Sequence, residues 1–489
     1  MDAETVRVEL LAAEIGSTTT VVNAFSIDPP EFLAQGAAPT SVLDGDVRVG
    51  LRRAIEDCAA DLARGSGVAP AAQGGGSAAT AEEAFDALPL SWDRFVATSS
   101  AAGGLRMTVH GLVYDMTVRA AREAALGAGA NLLQVTAGRM RADDIDEMIR
   151  IRPNIVLIAG GVDYGERDTA LDNAAAIAAA LKTHGLNPPV LYAGNVENRR
   201  EVQRLCKSAG IEVTCVENVY PRIDELNAGP CRREIQRLFE LHITAAPGMQ
   251  GVRELVNDRV LPTPGAVMEA AEVLREEVGD LLVFDVGGAT TDVHSVTDGS
   301  PEVSAMLVAP EPTAKRTVEG DLGVFANRAN LVELAGIETL STRLGIESER
   351  TRELVAGTAE LPEGELQVRF IEELTRVALD HSFQRHVGRI RYLYGPSGRK
   401  QVAEGRDLTA VRRIVGTGGA LTRLPHGGEL MQRALPDFAD RAPDMLAPAR
   451  DAPVLLDRRY IMASIGAFSA GYPEAARALL ARIGESRGR

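Results

Sequence analysis

At 489 residues the chain is too long for one compact core, so two or three domains are expected. Hydrophobic residues at 45% and charged residues at 25% exclude a disordered protein. A net charge of −16 with only 4% aromatic residues opposes nucleic-acid binding, which calls for a basic surface and stacking rings.

The opening Met-Asp-Ala-Glu carries acid where a signal peptide carries base. No stretch approaches the roughly 18 to 20 apolar residues of a membrane span. A cytoplasmic protein without membrane contact is the expectation. The four cysteines, Cys58, Cys206, Cys215 and Cys231, lack CxxC pairing and read as reduced thiols.

Residues 6–14 and 19–27 read as two strands around the turn Ile15-Gly16-Ser17-Thr18, and 47–63 as a helix. The Gly-, Ala- and Ser-rich stretch 64–80 reads as a flexible surface insertion, because it buries too little apolar surface to offset its ordering entropy. Residues 93–98 resume a strand. From 131 to 216 short apolar runs (132–136, 154–160, 189–194, 211–215) alternate with helical stretches (141–150, 168–183, 196–209), which implies a parallel α/β unit. Helical patterns fill 231–278. A second strand–turn–strand follows at 281–296, then a strand and glycine turn at 412–424, and two helices in 457–485.

Three glycine turns carry the chemistry. The first is Glu14-Ile15-Gly16-Ser17-Thr18-Thr19-Thr20 and the second Asp285-Val286-Gly287-Gly288-Ala289-Thr290-Thr291-Asp292. In both, an acid near the end of an apolar strand precedes glycine and a cluster of small or hydroxyl residues. Glycine lets the backbone approach a phosphate, and N–H and hydroxyl groups then donate to its oxygens. The acid cannot touch phosphate, but it can hold the waters of a bound Mg²⁺. One such turn is weak evidence; two, each opening one half of the chain, point to paired phosphate loops. The third turn, Gly416-Thr417-Gly418-Gly419, suits close approach to a ring or ribose and fails as a dinucleotide fingerprint. No GxxxxGK[ST] loop occurs, so nucleotide binding must use the two-hairpin plan.

EIGSTTT, DVGGATTDV and GTGGAL resemble, in order and separation, the phosphate-1, phosphate-2 and adenosine motifs of the actin/Hsp70/sugar-kinase ATPases. Residues 99–117, 159–174, 262–274, 315–330 and 455–468 resemble the MutL/GlmL family of glutamate mutase accessory proteins, over nearly the whole chain. That family is unrelated to the mismatch-repair protein of similar name. The resemblance implies an α/β, two-lobed actin-like ATPase (ribonuclease H-like) fold with an inserted parallel α/β domain. Lobe I would cover 1–125 with a flexible insertion at 64–83, the inserted domain 126–220, a helical connection 221–278, and lobe II 279–489. It implies ATP and Mg²⁺ as cofactors, with Gly16, Ser17, Thr18, Thr19, Gly287, Gly288, Ala289, Thr290, Thr291, Gly416, Thr417, Gly418 and Gly419 binding nucleotide. Glu14 and Asp285 would act in catalysis and hold the metal through water. Glu14 stands where the first motif usually has Asp, so the metal geometry shifts and a weak ATPase is implied. The family partner is an adenosylcobalamin-dependent mutase whose damaged cobalamin is exchanged with the help of ATP; a homodimer is compatible with this. The alternative is an ATP-dependent small-molecule enzyme, a hydantoinase/oxoprolinase-like hydrolase or a sugar kinase.

Other residues carry two readings each. Glu319, Asp321 and Gly323 either position water near a phosphate or form a capped turn before a helix at 324–335, and the capped turn is preferred. Asp292 is a second metal-water ligand or a polar residue on a strand face. Gly160, Gly161, Asp163, Gly194 and Asn195 lie past strand ends where open sheets bind ligands, although glycine also ends strands for conformational reasons, the preferred reading. His381 and His386, five apart, lack the spacing of a two-His metal face.

Overall fold

The computed structural model describes residues 6–16, 19–41, 46–66, 88–100, 105–242, 252–359, 361–395 and 398–484. The chain divides into two compact units, Met1–Ala270 with Ala463–Leu480, and Ala271–Met462 with Ala481–Arg489.

The first unit opens with β1 (Val6–Ile15), β2 (Thr19–Ile27), β3 (Pro30–Pro39), α1 (Val47–Ser66) and β4 (Leu90–Ser99). The second half of β1 is buried on both faces, which its continuous run LLAAEI anticipates. The expected insertion at 64–83 lies, from residue 67 onward, outside the described residues.

Five parallel strands follow: β5 (Leu105–Gly111), β6 (Ala130–Ala137), β7 (Ile155–Ile158), β8 (Val190–Tyr192) and β9 (Val213–Cys215). Their connections carry α2 (Arg119–Gly127), α3 (Ala142–Ile151), α4 (Asp168–Thr183) and α5 (Arg199–Ala209). The order is β6-β5-β7-β8-β9, so an inner strand of this sheet is β5, upstream of residue 126. The sequence reading passed over β5 because Thr108 and His110 interrupt its apolar pattern. Both are fully buried and bond to each other, His110 Nε2 to Thr108 Oγ1 at 3.0 Å, with Nδ1 on Thr136 Oγ1 at 2.9 Å. Satisfied polar groups can occupy a core that periodicity alone would not assign to them.

After α6 (Ala228–His242) and α7 (Val252–Leu255), the stretch expected to be helical contains a strand, β10 (Val260–Pro262), before α8 (Thr263–Val278). Three residues are too few for a periodic signal; parallel pairing with Ala97–Ser99 of β4 defines this strand. The first sheet therefore has the order β10-β4-β1-β2-β3.

The second unit begins with β11 (Leu281–Val286) and β12 (Thr291–Val296), then α9 (Pro301–Ser304), β13 (Ala314–Glu319), α10 (Arg328–Ala335), α11 (Ile337–Leu344), α12 (Ser348–Gly357) and the long α13 (Gly364–His386). Next come a hairpin of β14 (Arg389–Gly395) and β15 (Gly398–Glu404), then β16 (Arg413–Thr417), α14 (Gly419–Thr422), α15 (Gly427–Arg441) and β17 (Val454–Leu456). Its sheet runs β13-β12-β11-β16-β17. Leu282, Phe284 and Val293 on one face pack with Phe370, Leu374 and Phe383 of α13. Finally α16 (Met462–Ser469) and α17 (Pro473–Leu480) return the chain to the first unit, where Phe468 meets Phe25 edge-on at 5.3 Å.

Numbered by appearance within its own unit, each main sheet has the order 3-2-1-4-5. Strands 1–2 and 2–3 are antiparallel, and strands 1–4 and 4–5 parallel. One ribonuclease H-like design occurs twice, with a parallel α/β domain inserted between strands 4 and 5 of the first copy. This is the actin-like ATPase fold.

Candidate functional site

In the first unit the acid Glu14 pairs with Val21 across the hairpin and with Thr98 of the parallel neighbour. Its residue is only 7% exposed. The turn closes through Gly16 N–H donating to the Thr19 carbonyl at 3.0 Å. Gly16 and Thr19 are half-buried. Ser17 and Thr18 lie outside the described residues.

In the second unit Asp285 pairs with Asp292 across its hairpin and with Thr417 of β16. Gly287 N–H donates to the Thr290 carbonyl at 2.9 Å, the same closure as in the first hairpin. Among the described residues the tip is held by the 324–327 turn. Val324 N–H donates to Gly287 O (3.2 Å), Phe325 and Ala326 to Gly288 O (2.9 and 2.8 Å), and Asn327 Nδ2 to Ala289 O (2.9 Å). With the carbonyls so engaged, the N–H groups of Gly288 and Ala289 meet no acceptor among the described residues, and both residues are exposed. Successive free N–H groups of this kind make an anion-binding concavity. The approach that holds the tip requires Gly323, where a Cβ would lie 2.2 Å from the Ala289 carbonyl.

The two hydroxyls after the tip are already engaged. Thr290 Oγ1 donates to Asp292 Oδ2 at 3.2 Å, and Thr291 Oγ1, fully buried, donates to the Leu322 carbonyl at 2.8 Å. Asp292 also forms a buried ion pair with Arg316, at 2.7 Å, each side chain under 5% exposed. That bond commits Asp292 to the fold, the second of its two readings.

The third turn abuts the second. Gly418 adopts φ +87° and ψ 150°, and a Cβ there would lie 2.5 Å from Asp285 Oδ1 and from the backbone of Val286. Gly416 lies on β16 and Gly419 opens α14, with nothing within 4 Å of a Cβ built on it. Thr417 Oγ1 donates to Asp457 Oδ2 at 3.1 Å. Asp457, fully buried, also accepts from Ile461 and Met462 N–H (3.0 and 2.9 Å) at the start of α16. Burial pushes its pKa up and those donors pull it back. Sequence reasoning missed Asp457; the helix-starting pattern Asp-x-x-x-Ile-Met was the available signal.

Glu319 and Asp321 converge on Arg385 of α13, at 2.5 and 2.7 Å, and this pairing accounts for both carboxylates. Burial raises the pKa of Glu319 against the pull of Arg385, whereas the Arg385 hydrogen bond lowers that of Asp321. The helix expected from 324 starts at 328, because 323–327 form the turn that grips the hairpin tip. His386 is buried between Ser295 Oγ (2.8 Å) and Thr317 Oγ1 (2.9 Å). In the inserted domain Asn195 bonds Tyr164 N–H, Glu197 N–H and the Gly165 and Glu166 carbonyls, folding the 161–167 loop onto the strand ends.

The family model of the MutL protein matches residues 10–483. The chain belongs to the MutL family. Protein MutL of Clostridium tetanomorphum is 34% identical over 478 residues, covering 95% of this chain and 97% of the relative. Solved structures similar to it include nucleotide-free acetone carboxylase (14% identity, TM-score 0.38, 94% of this chain and 70% of that one). Others are a nucleotide-free diol dehydratase-reactivating factor (12%, 0.33, 95% and 100%) and xylulose kinase from Bifidobacterium adolescentis (12%, 0.28, 96% and 94%). The fold assignment rests on the strand order of the two sheets rather than on these distant likenesses. No helix among the described residues is long and apolar enough to cross a membrane.

Proposed function

We propose that this MutL-family chain binds Mg-ATP through its glycine turns and serves as a weakly ATP-hydrolysing accessory protein for an adenosylcobalamin-dependent mutase of the glutamate mutase or aminomutase type. The observation that carries the nucleotide reading is the cradle at Gly288 and Ala289, two exposed N–H donors beside Asp285 and the Gly418 turn. Its donor set suits a phosphate and not a cation. On this proposal Ser17 and Thr18 would be the corresponding donors of the first hairpin, whose turn Gly16 and Thr19 close, and Gly416, Thr417, Gly418 and Gly419 would receive adenosine. Glu14 and Asp285 would hold Mg²⁺ through its waters, and the ion would offset phosphate charge.

The chain's own residues then have separate tasks. The N–H groups of Gly288 and Ala289 bind and orient the anion, Gly287 closes the turn that presents them, and Thr290 and Thr291 keep the hairpin in register. Glu14 and Asp285 would hold the water of a bound metal ion in place. The accessory role rests on family membership, and the names of the dehydratase-reactivating neighbours agree with it.

Isothermal titration with Mg-ATP should give saturable heat, and Asp285→Asn should abolish it while leaving the melting temperature within a few degrees. Absence of heat at millimolar nucleotide would end the nucleotide reading. For the accessory role, a cobalamin-damaged mutase should regain turnover when given this protein, Mg-ATP and fresh adenosylcobalamin. ATP turnover that appears only with an added small metabolite would replace the accessory role by the hydrolase or kinase alternative.

A further inference from the structure

The β14–β15 hairpin is built in two halves with opposite character. At its base Ala403 is fully buried and Val402 nearly so. Backbone bonds fix that base from both edges: Ala403 N–H to Met306 O (2.8 Å), Val308 N–H to Ala403 O (2.9 Å) and Ile390 N–H to Asp444 O (2.7 Å). Beyond it, the pairs Tyr392–Gln401, Leu393–Lys400 and Tyr394–Arg399 are exposed on both faces. Alternation puts Tyr392, Tyr394, Arg399 and Gln401 on one face and Leu393 with Lys400 on the other.

A two-stranded ribbon open to water on both faces gains nothing from apolar side chains, and polar residues would serve its solubility better. Here three large residues stand in a row, 44%, 56% and 79% exposed. This is conspicuous in a chain with 8 tyrosines and 11 phenylalanines among 489 residues. The Arg399 guanidinium stacks on the Tyr392 ring at 3.3 Å, which pre-orders both. Tyrosine and arginine together are the side chains that dominate binding energy at protein interfaces.

Charge names the occupant. Arg391 pairs with Glu404, whereas Arg399 and Lys400 form no ion pair among the described residues. The tip is therefore cationic on a chain whose net charge is −16. Tip-to-tip pairing of two copies would set these cations against each other. We propose that the hairpin tip is a docking element for a different protein, one presenting an apolar recess rimmed by Asp and Glu. On the accessory-protein reading, on which this assignment rests, that protein is the enzyme served.

The test uses the full-length protein and two double variants, Leu393→Ser with Tyr394→Ser and Arg399→Glu with Lys400→Glu. All four positions are exposed, so the fold and Mg-ATP binding should be unchanged. By titration against the purified adenosylcobalamin-dependent mutase, each variant should bind at least about tenfold more weakly, as loss of an interface anchor implies. Added salt should weaken the wild type more than the charge variant. Wild-type affinity in both variants would overturn the docking element and leave the accessory reading standing. If the wild type fails to bind the mutase, the accessory reading falls and a photo-crosslinker placed at position 394 in cells decides the hairpin. An adduct on an acid-rimmed surface of another protein, reproduced with that purified protein, supports it. An adduct with a second copy, or none, overturns it.

Discussion

Two adjacent glycines should respond oppositely to the same methyl group. Gly418 sits at φ +87° and ψ 150°, a region that side chains other than glycine avoid at a cost of about 1 to 3 kcal/mol. Its Cβ would also lie 2.5 Å from Asp285 Oδ1 and from Val286 N and O. Those are mostly backbone atoms, so relief needs a strand to shift, which adds about 1 to 3 kcal/mol. Gly418→Ala should thus lose roughly 2 to 6 kcal/mol, and at about 2 to 4 °C per kcal/mol for a unit of this size its melting temperature should fall by at least about 4 °C. Gly419→Ala meets nothing within 4 Å and starts a helix, where alanine is preferred by up to about 1 kcal/mol. Its melting temperature should hold or rise slightly. Thermal melts followed by circular dichroism measure both, and Mg-ATP titration of whatever folds reads the site. Because the methyl at 418 presses on the Asp285 carboxylate, that variant should also lose nucleotide affinity. Equal melting temperatures for Gly418→Ala and wild type would refute the assigned turn geometry.

Asp292→Asn removes the charge that neutralises buried Arg316 and should destabilise the fold by about 3 to 5 kcal/mol in urea titration; a loss under about 1 kcal/mol would mean Arg316 is balanced elsewhere. Gly323→Ala forces the 322–327 turn off the Ala289 carbonyl, so it should weaken Mg-ATP binding more than tenfold while circular dichroism still shows a folded protein; unchanged affinity would dissociate that turn from the cradle. Arg385→Ala should cost about 1 to 3 kcal/mol at neutral pH, because it leaves the Glu319 carboxylate buried and unbalanced. Burial already raises the Glu319 pKa, and losing the guanidinium raises it further. A raised folded pKa means stability is present below the unfolded value, about 4.3, and lost as pH rises through the folded value. The penalty of this variant should therefore shrink as pH falls toward 4. Asp321 acts in the same direction: its lowered pKa gives stability above the unfolded value that is lost as pH falls through the folded one, and the variant lacks that contribution. A penalty independent of pH would refute the pairing.

Much of the fold was legible because the two central hairpins announce themselves: VRVELLAAE before Gly16 and LLVFD before Gly287 are apolar runs ended by small residues. The alternation of the inserted domain was equally visible. What the sequence hid were elements whose letters are determined by partners. β5 contains Thr108 and His110, which satisfy each other, and β10 has three residues, paired in register with β4. At the site, the glycines and the two acids were legible from composition. The engagement of Thr291 by Leu322, of Asp292 by Arg316 and of Thr417 by Asp457 was not, because each bond spans 24 to 40 residues of sequence.

Register shows the duplication more deeply than the motifs do. In the first unit Glu14 lies opposite Thr98 on the parallel strand, and in the second Asp285 lies opposite Thr417. Each of these threonines then bonds a residue just past the fifth strand. Thr98 Oγ1 accepts from Thr263 Oγ1 at 3.3 Å, where α8 begins, and Thr417 Oγ1 donates to Asp457 at 3.1 Å, ahead of α16. An acid, a strand-end threonine and a polar residue leading into a helix thus recur in the same topological places, although Thr263 and Asp457 differ chemically. In both copies the threonine ties the strand beside the acid-bearing one to the residue that leads into the following helix. The testable consequence is a positioning role of Thr98 for Glu14 and of Thr417 for Asp285. Thr417→Val should weaken Mg-ATP binding more than Thr98→Val, because only Asp457 is left as a buried carboxylate lacking one of its donors. Equal effects, or none, would show that the repeated bond is a feature of the fold alone.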